Sequence, residues 1–250
     1  MFSVSYRDQV HDYILDLANK DKRITAGAVV GSLALSEGDH WSDLDLTFAV
    51  KDELNQLDVL EDWTKQISEK FNAAYLFDLP SGPSIYRVFL LPGCLQFDLS
   101  FTPASKFGAT GPKFKLLFGS VVEKSHFSPP MARDLFGYAV HHALRARFCI
   151  ERGKLWQAEY WIHSTRDYAL NLACLRLGLP SNNGRGFDAL PDEVLNNFKD
   201  TFVTAIEKNE LQRALTRCID GLLSETSLVQ DLALEVEPQL RTLTAVWEGT

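Results

Sequence analysis

The chain has little that would staple it covalently or anchor it in a bilayer. Its four cysteines, Cys94, Cys149, Cys174 and Cys218, lie too far apart to form a C-x-x-C pair, which excludes a zinc knuckle or a dithiol redox motif. Each sits among apolar neighbours and reads as a buried thiol in a reducing compartment. No apolar run approaches the ~18 residues of a membrane span, and the N-terminal MFSVSYRDQVHDY lacks the basic-then-apolar pattern of a secretory leader. A cytoplasmic protein without membrane contact is expected. Positive charge is also scarce. Against 33 Asp and Glu stand 25 Lys and Arg, a formal net charge of -8, which argues against general nucleic-acid binding because that needs many cations to displace counterions. It leaves room for a local basic groove, and it suits cationic small molecules. Internal repeats and low-complexity tracts are absent. What remains is ordinary globular composition, 46% hydrophobic and 23% charged over 250 residues, enough for one large domain or two modest ones.

The richest stretch is VVGSLALSEGDHWSDLDLTFAV. An apolar segment, Ala28 to Val30, ends at Gly31, where a missing Cβ lets backbone amides approach a phosphate. Ser32 adds a hydroxyl donor. Farther on the pattern alternates, with Asp43, Asp45 and Thr47 on one side and Leu44, Leu46 and Phe48 on the other, as in a half-buried strand. Two carboxylates on one face repel unless a cation lies between them. Magnesium, with its preference for oxygen ligands, fits that place. Asp-x-Asp by itself is common and serves equally as a solvated turn or a pair of caps.

A third carboxylate strengthens the metal reading. In CLQFDLSFTP, Leu95, Phe97, Leu99 and Phe101 share one face, and Gln96, Asp98 and Ser100 the other. An Asp in the middle of such a strand is disfavoured by propensity and costly to bury alone.

Helical spacing of Val10, Tyr13, Ile14 and Leu17 predicts a helix over 6–19, ahead of a strand over 24–30. Leu57, Leu60, Trp63 and Ile67 predict another, ending near Phe71. Strands follow over 73–79, 84–91 and 95–102, with turns at 80–83 and 92–93. The stretch 103–130 reads as transitional, broken by Gly108, Gly111-Pro112 and Gly119. Beyond it helices are predicted over 131–152 and 154–177, divided at Gly153, and then over 191–208, 210–224 and 227–247, with Pro238 kinking or breaking the last. The expected architecture is α+β: a mixed sheet with flanking helices in residues 1–125, then an antiparallel helical bundle in 126–250.

Gly31-Ser32, the Asp43-Leu44-Asp45 strand and Asp98 on a later strand together resemble the nucleotidyltransferase superfamily, the DNA polymerase beta-like fold. With a helical second half, the chain looks like the antibiotic nucleotidyltransferases that modify aminoglycosides or lincosamides. The motifs cover about the first hundred residues, and the helical half agrees in architecture alone. The resemblance implies a magnesium-dependent transfer of a nucleoside monophosphate, AMP for preference, from ATP or another NTP to a hydroxyl of a small acceptor, with release of pyrophosphate. It implies that Asp43, Asp45 and Asp98 hold magnesium, with Asp98 completing the metal set or assisting deprotonation of the acceptor. Gly31 and Ser32 would then meet the nucleotide phosphates, with Ser42 and Lys113 on the nucleotide side. Lys106, Lys113 and Lys115 lie just past the Asp98 strand, where a triphosphate tail could be met, although exposed lysines serve equally as solvated loop charges.

For the acceptor side, Glu159, His163 and Arg166 share one helix face, and Glu159 is the first candidate for an acceptor-side base. An ion-pair ladder explains that row as well. Glu151 beside Arg147 is a further candidate. Adjacent His141 and His142 face different directions and suit a structural role. Arg185 and Asp188, in the loop GRGFDALP, could close over a site or serve packing. Three functional classes stay open: a small-molecule transferase, an enzyme modifying a protein or RNA end, and a nucleotide-binding regulatory module such as an antitoxin. An Arg followed four to six residues later by His, the nuclease motif of helical toxin partners, does not occur from Met131 onward, which disfavours an RNase role.

Overall fold

The computed structural model describes residues 1–35, 38–124 and 129–245. The chain divides into two compact units, Met1–Phe127 and Ser128–Thr250. The boundary expected between residues 125 and 126 falls outside the described residues.

The first unit is a six-stranded mixed sheet with two helices. Helix α1 (Val4–Lys20) starts at the N-cap Ser3, whose hydroxyl accepts from the Tyr6 amide at 3.1 Å. It buries Arg7, Val10, Ile14 and Ala18, one stripe at helical spacing. Strand β1 (Ile24–Val30) leads through a 3-10 turn, Gly31–Leu35, towards β2 (Leu44–Val50). Helix α2 (Gln56–Phe71) is capped by Asn55 and ends at Asn72 in the left-handed conformation. Strands β3 (Ala74–Ser81), β4 (Ser84–Leu91) and β5 (Leu95–Pro103) follow, and β6 (Phe114–Phe118) completes the sheet in the order β3-β4-β5-β2-β1-β6. All pairings are antiparallel except β2 with β5, which run parallel.

Alternation along β2 and β5 sorts the side chains. Leu44, Leu46, Phe48 and Val50, with Leu95, Phe97, Leu99 and Phe101, join one core with Val10 and Ile14 of α1 and Leu60, Trp63 and Ile67 of α2. Trp63 is its centre, with ring centroids 5.3 Å from Phe48 and 5.0 Å from Phe101, and its indole N–H donates to Asp21 at 2.9 Å. Truncating it to Ala would cost roughly 3–5 kcal/mol. The other face of the sheet carries Asp45, Thr47, Asp98, Ser100 and Thr102, beside a small core around Ala28, Ala49 and Phe107.

Strand β6 lies in the stretch expected to be transitional. Its residues are half-buried or exposed, so the sequence shows no clean alternation; pairing with β1 makes it a strand. Cys94 departs from the expectation of four buried thiols. It is exposed in the turn between β4 and β5, with φ 65°.

The second unit is helical. Helix α3 (Ala132–Glu151) and α4 (Leu155–Arg176) pack along Ala139, Ala143 and Ala146 on one side and Ala158, Ala169 and Ala173 on the other, small residues that allow close approach. Gly153, at φ 67°, ends α3; its amide donates to the Ile150 carbonyl at 3.0 Å, and the Lys154 amide to Cys149 at 2.9 Å. A connection this short turns α4 back antiparallel to α3. Helix α6 (Lys208–Ser224) packs on both through Leu211, Leu215, Ile219 and Leu222, and α7 (Gln230–Ala245) adds Ala233 and Leu240.

The single helix expected over 191–208 is replaced by short pieces: α5 (Asp192–Asn196), a 3-10 turn Lys199–Thr201, and then non-helical chain up to α6. Helix α6 supplies the reason. Arg213 donates to the carbonyls of Asp200 and Phe202, and Glu210 accepts from the Thr204 amide at 2.9 Å. These bonds satisfy the backbone of a Thr- and Val-bearing segment whose helix propensity is low. Pro238 does not break α7. That helix is largely exposed, so the carbonyl deprived of a partner can turn to water. The expected end of this helix at Trp247 lies outside the described residues.

Candidate active site

Three carboxylates meet on the polar face of the sheet. Asp45 on β2 and Asp98 on β5 are register partners across the parallel pair, and Asp43 sits one step before β2. Each is half-buried, and each contributes one oxygen to a set lying within 4.8 Å of one another. Such a set is unfavourable without a counter-charge. Burial raises the Asp98 carboxyl above the usual range; two hydrogen bonds from Gln96, at 3.0 and 3.2 Å, oppose this, and the Asp43 charge adds to the rise. Burial raises the nearby Tyr86 phenol too, and the Asp45 charge contributes in the same direction.

The turn after β1 is shaped by the same carboxylates. Gly31 has φ 72°, and a Cβ there would overlap Oδ2 of Asp45. Only glycine lets the chain pass so close to that side chain in this conformation. Its amide donates to the Lys113 carbonyl at 3.2 Å, tying the turn to the segment entering β6. Ser32 lies half-buried in the 3-10 turn that follows, and the Lys113 side chain is exposed.

Ser42 belongs to the turn ahead of Asp43. Its hydroxyl donates to Oδ1 of Asp39 at 3.0 Å and accepts from the Asp39 amide at 2.9 Å; the hydrogen bond from Ser42, with those of backbone amides, holds the Asp39 carboxyl below its usual range. This turn is gripped from below by a residue that the sequence pattern does not single out. Arg7, 5% exposed, donates through Nη1 to the carbonyls of Asp39 at 2.7 Å and Ser42 at 2.9 Å. The available clue was an Arg three residues before Val10, on the buried stripe of α1.

An all-oxygen, anionic set of this size suits a hard divalent cation. Among the described residues, Asp43, Asp45 and Asp98 form the cluster of ligating side chains that could hold one.

The remaining candidates lie in the helical unit. Glu159 is half-buried on α4. Glu151 is ion-paired with Arg147 at 2.9 Å and Lys208 at 3.5 Å. Arg185 and Asp188 are exposed, while His141 and His142 stand in an aromatic cluster with Trp161.

No family model matches this chain, and no curated protein sequence does. Among solved structures, it is similar to the crystal structure of an aminoglycoside 6-adenyltransferase from Bacillus subtilis, with 15% identity and a TM-score of 0.42 over 96% of this chain and 99% of that one. None of the helices described is long and apolar enough to cross a membrane.

Proposed function

We propose that the protein is a magnesium-dependent nucleotidyltransferase that moves a nucleoside monophosphate, AMP for preference, from a nucleoside triphosphate to a hydroxyl of a small acceptor. The observation that carries this reading is the convergence of Asp43, Asp45 and Asp98 within 4.8 Å on one sheet face, beside a glycine turn whose conformation brings backbone close to Asp45.

Asp43, Asp45 and Asp98 would hold the ion. When bound, magnesium supplies positive charge against the triphosphate and the entering and leaving oxygens. The chain's own part is positioning. Gly31 opens the turn from which Ser32 offers its hydroxyl to phosphate oxygens, Lys113 precedes β6 with its carbonyl bonded to that turn, and Ser42 shapes the approach to Asp43. The acceptor oxygen attacks the α-phosphorus, the bond to the β-phosphate bridging oxygen breaks, and pyrophosphate leaves. The hydroxyl proton passes to Asp98.

The test is incubation with α-phosphate-labelled ATP, CTP, GTP and UTP plus magnesium, against aminoglycosides, lincosamides and cell extract. Label in a small molecule, lost in Asp43→Asn and Asp45→Asn proteins that stay folded, supports the reading. Absence of both label transfer and pyrophosphate release with every nucleotide and acceptor would sink it.

A further inference from the structure

The helical unit contains a cavity of about 530 Å³, within the roughly 300–1,000 Å³ typical of small-molecule sites. Its wall is α4, and its rim includes Asn183 and Gly184, consecutive residues in the left-handed conformation at φ 53° and 70°. Apolar surface comes from Leu170 and Phe187.

Its polar groups are arranged in one chain of contacts. Asp167 lies 3.0 Å from Nε2 of His163, and Nδ1 of the same ring faces Nη2 of Arg166 at 2.5 Å, where the guanidinium, having no acceptor atom, is the donor. The Arg166 guanidinium carbon stands 4.4 Å from the Phe202 ring centroid, a cation-π stack that fixes the plane of the group. Arg166 is only 8% exposed, and its nearest carboxylate oxygen, on Asp167, is 4.0 Å from Nε. No described residue accepts from Nη1. A largely buried guanidinium that keeps this donor open to the cavity favours an anion.

The second polar demand is Asn171, one turn beyond Asp167 on the same helix and lining the same cavity. Its Oδ1 is buried and has no hydrogen-bond partner. A buried acceptor of this kind normally has a donor against it. With the Asp167 carboxylate and the Asn183 amide nearby, the cavity pairs one anion-seeking group with several groups that bind hydroxyls.

We propose that this cavity binds a small hydroxylated organic anion, its carboxylate or phosphate meeting Nη1 of Arg166, a hydroxyl donating to Asn171, and its apolar edge against Leu170 and Phe187. The inference is independent of nucleotidyl transfer, because its readout is binding to the helical unit. The test is calorimetric titration of the full chain with glucuronate, glucose 6-phosphate, glucose and inorganic phosphate. At least one of the two anionic sugars is expected to bind about tenfold or more tighter than either glucose or inorganic phosphate, and which of them does so separates carboxylate from phosphate as the anchor. Arg166→Lys, which keeps the charge but loses the planar stack, and Asn171→Leu should each weaken that binding about tenfold or more with the helical circular dichroism retained. If Arg166→Lys does not fold, Asn171→Leu alone carries the test. Anionic sugars binding no tighter than glucose or inorganic phosphate, or folded variants with undiminished affinity, would overturn the proposal.

Discussion

Asp45 and Asp98 stand directly opposite each other on neighbouring parallel strands. Like charges at that position destabilise a sheet by a few tenths to about 1 kcal/mol, and Asp43 adds a third to the same set. The arrangement persists because the strands are held by the opposite face, where Leu46, Phe48, Leu99 and Phe101 are fully buried or nearly so.

That repulsion should be measurable. In EDTA, Asp98→Asn is expected to stabilise the protein by roughly 0.5–1 kcal/mol in urea unfolding. Magnesium should raise the melting temperature of the wild type, through preferential binding to the folded state, and do so much less in the variant. A variant less stable than wild type in EDTA, or equal magnesium stabilisation of both proteins, would contradict the electrostatic account.

Gly31→Ala should damage the site more than the fold. The left-handed backbone costs a non-glycine residue roughly 1–2 kcal/mol, and the new Cβ would meet the Asp45 carboxylate. Nucleotidyl transfer is expected to fall by about 100-fold or more, as for loss of a preorganised phosphate-binding element, with the melting temperature lowered by only a few degrees. Kinetics and a thermal melt on the same sample check both parts.

Arg7 gives a prediction at a distance from the chemistry. Arg7→Met releases the carbonyls of Asp39 and Ser42 and should weaken magnesium binding by about 10–100-fold, the range for residues that orient metal ligands. Trp41, 66% exposed in the same turn, provides a fluorescence readout for the titration. Arg7→Lys should recover part of the loss, since its ammonium can reach one carbonyl. Unchanged affinity in Arg7→Met would show that the turn holds its shape unaided.

Acid should loosen the helical unit at Glu210. Hydrogen bonds from Arg213 and from the amide and hydroxyl of Thr204 lower its carboxyl from 4.5 to about 2 in the folded protein. A depressed folded-state value means that the stabilisation is complete above about 4.5 and is lost as pH falls towards about 2. Glu210→Gln should therefore be less stable than wild type at pH 6, with the difference shrinking on acidification. Urea melts at pH 6, 4 and 3 would show this, and a constant difference would rule it out.

Much of the site is legible in the amino-acid pattern alone. Period-two alternation requires Asp45 and Asp98 to leave the core face, because Leu44, Leu46, Leu99 and Phe101 must enter it. Gly31 is legible as a special position, but its reason is not: the close approach is to Asp45, a contact made through a turn that alternation does not encode. Strand β6 escapes because its definition rests on pairing with β1 rather than on its own pattern. The helix expected over 191–208 fails for a related cause, since Arg213 and Glu210 offer its backbone partners that a local reading cannot count.

Sequence by itself therefore determined the two halves, the faces of β2 and β5, and the three carboxylates available to a cation. Tertiary structure alone decided that Asp45 meets Asp98 in register, that Arg7 grips the turn before Asp43, and that Arg166 and Asn171 open into one cavity. The division follows from range. Periodicity is imposed by the backbone geometry of a single element and is written along it, whereas register, side-chain grips on distant carbonyls and cavities depend on pairings between elements, which no single element specifies.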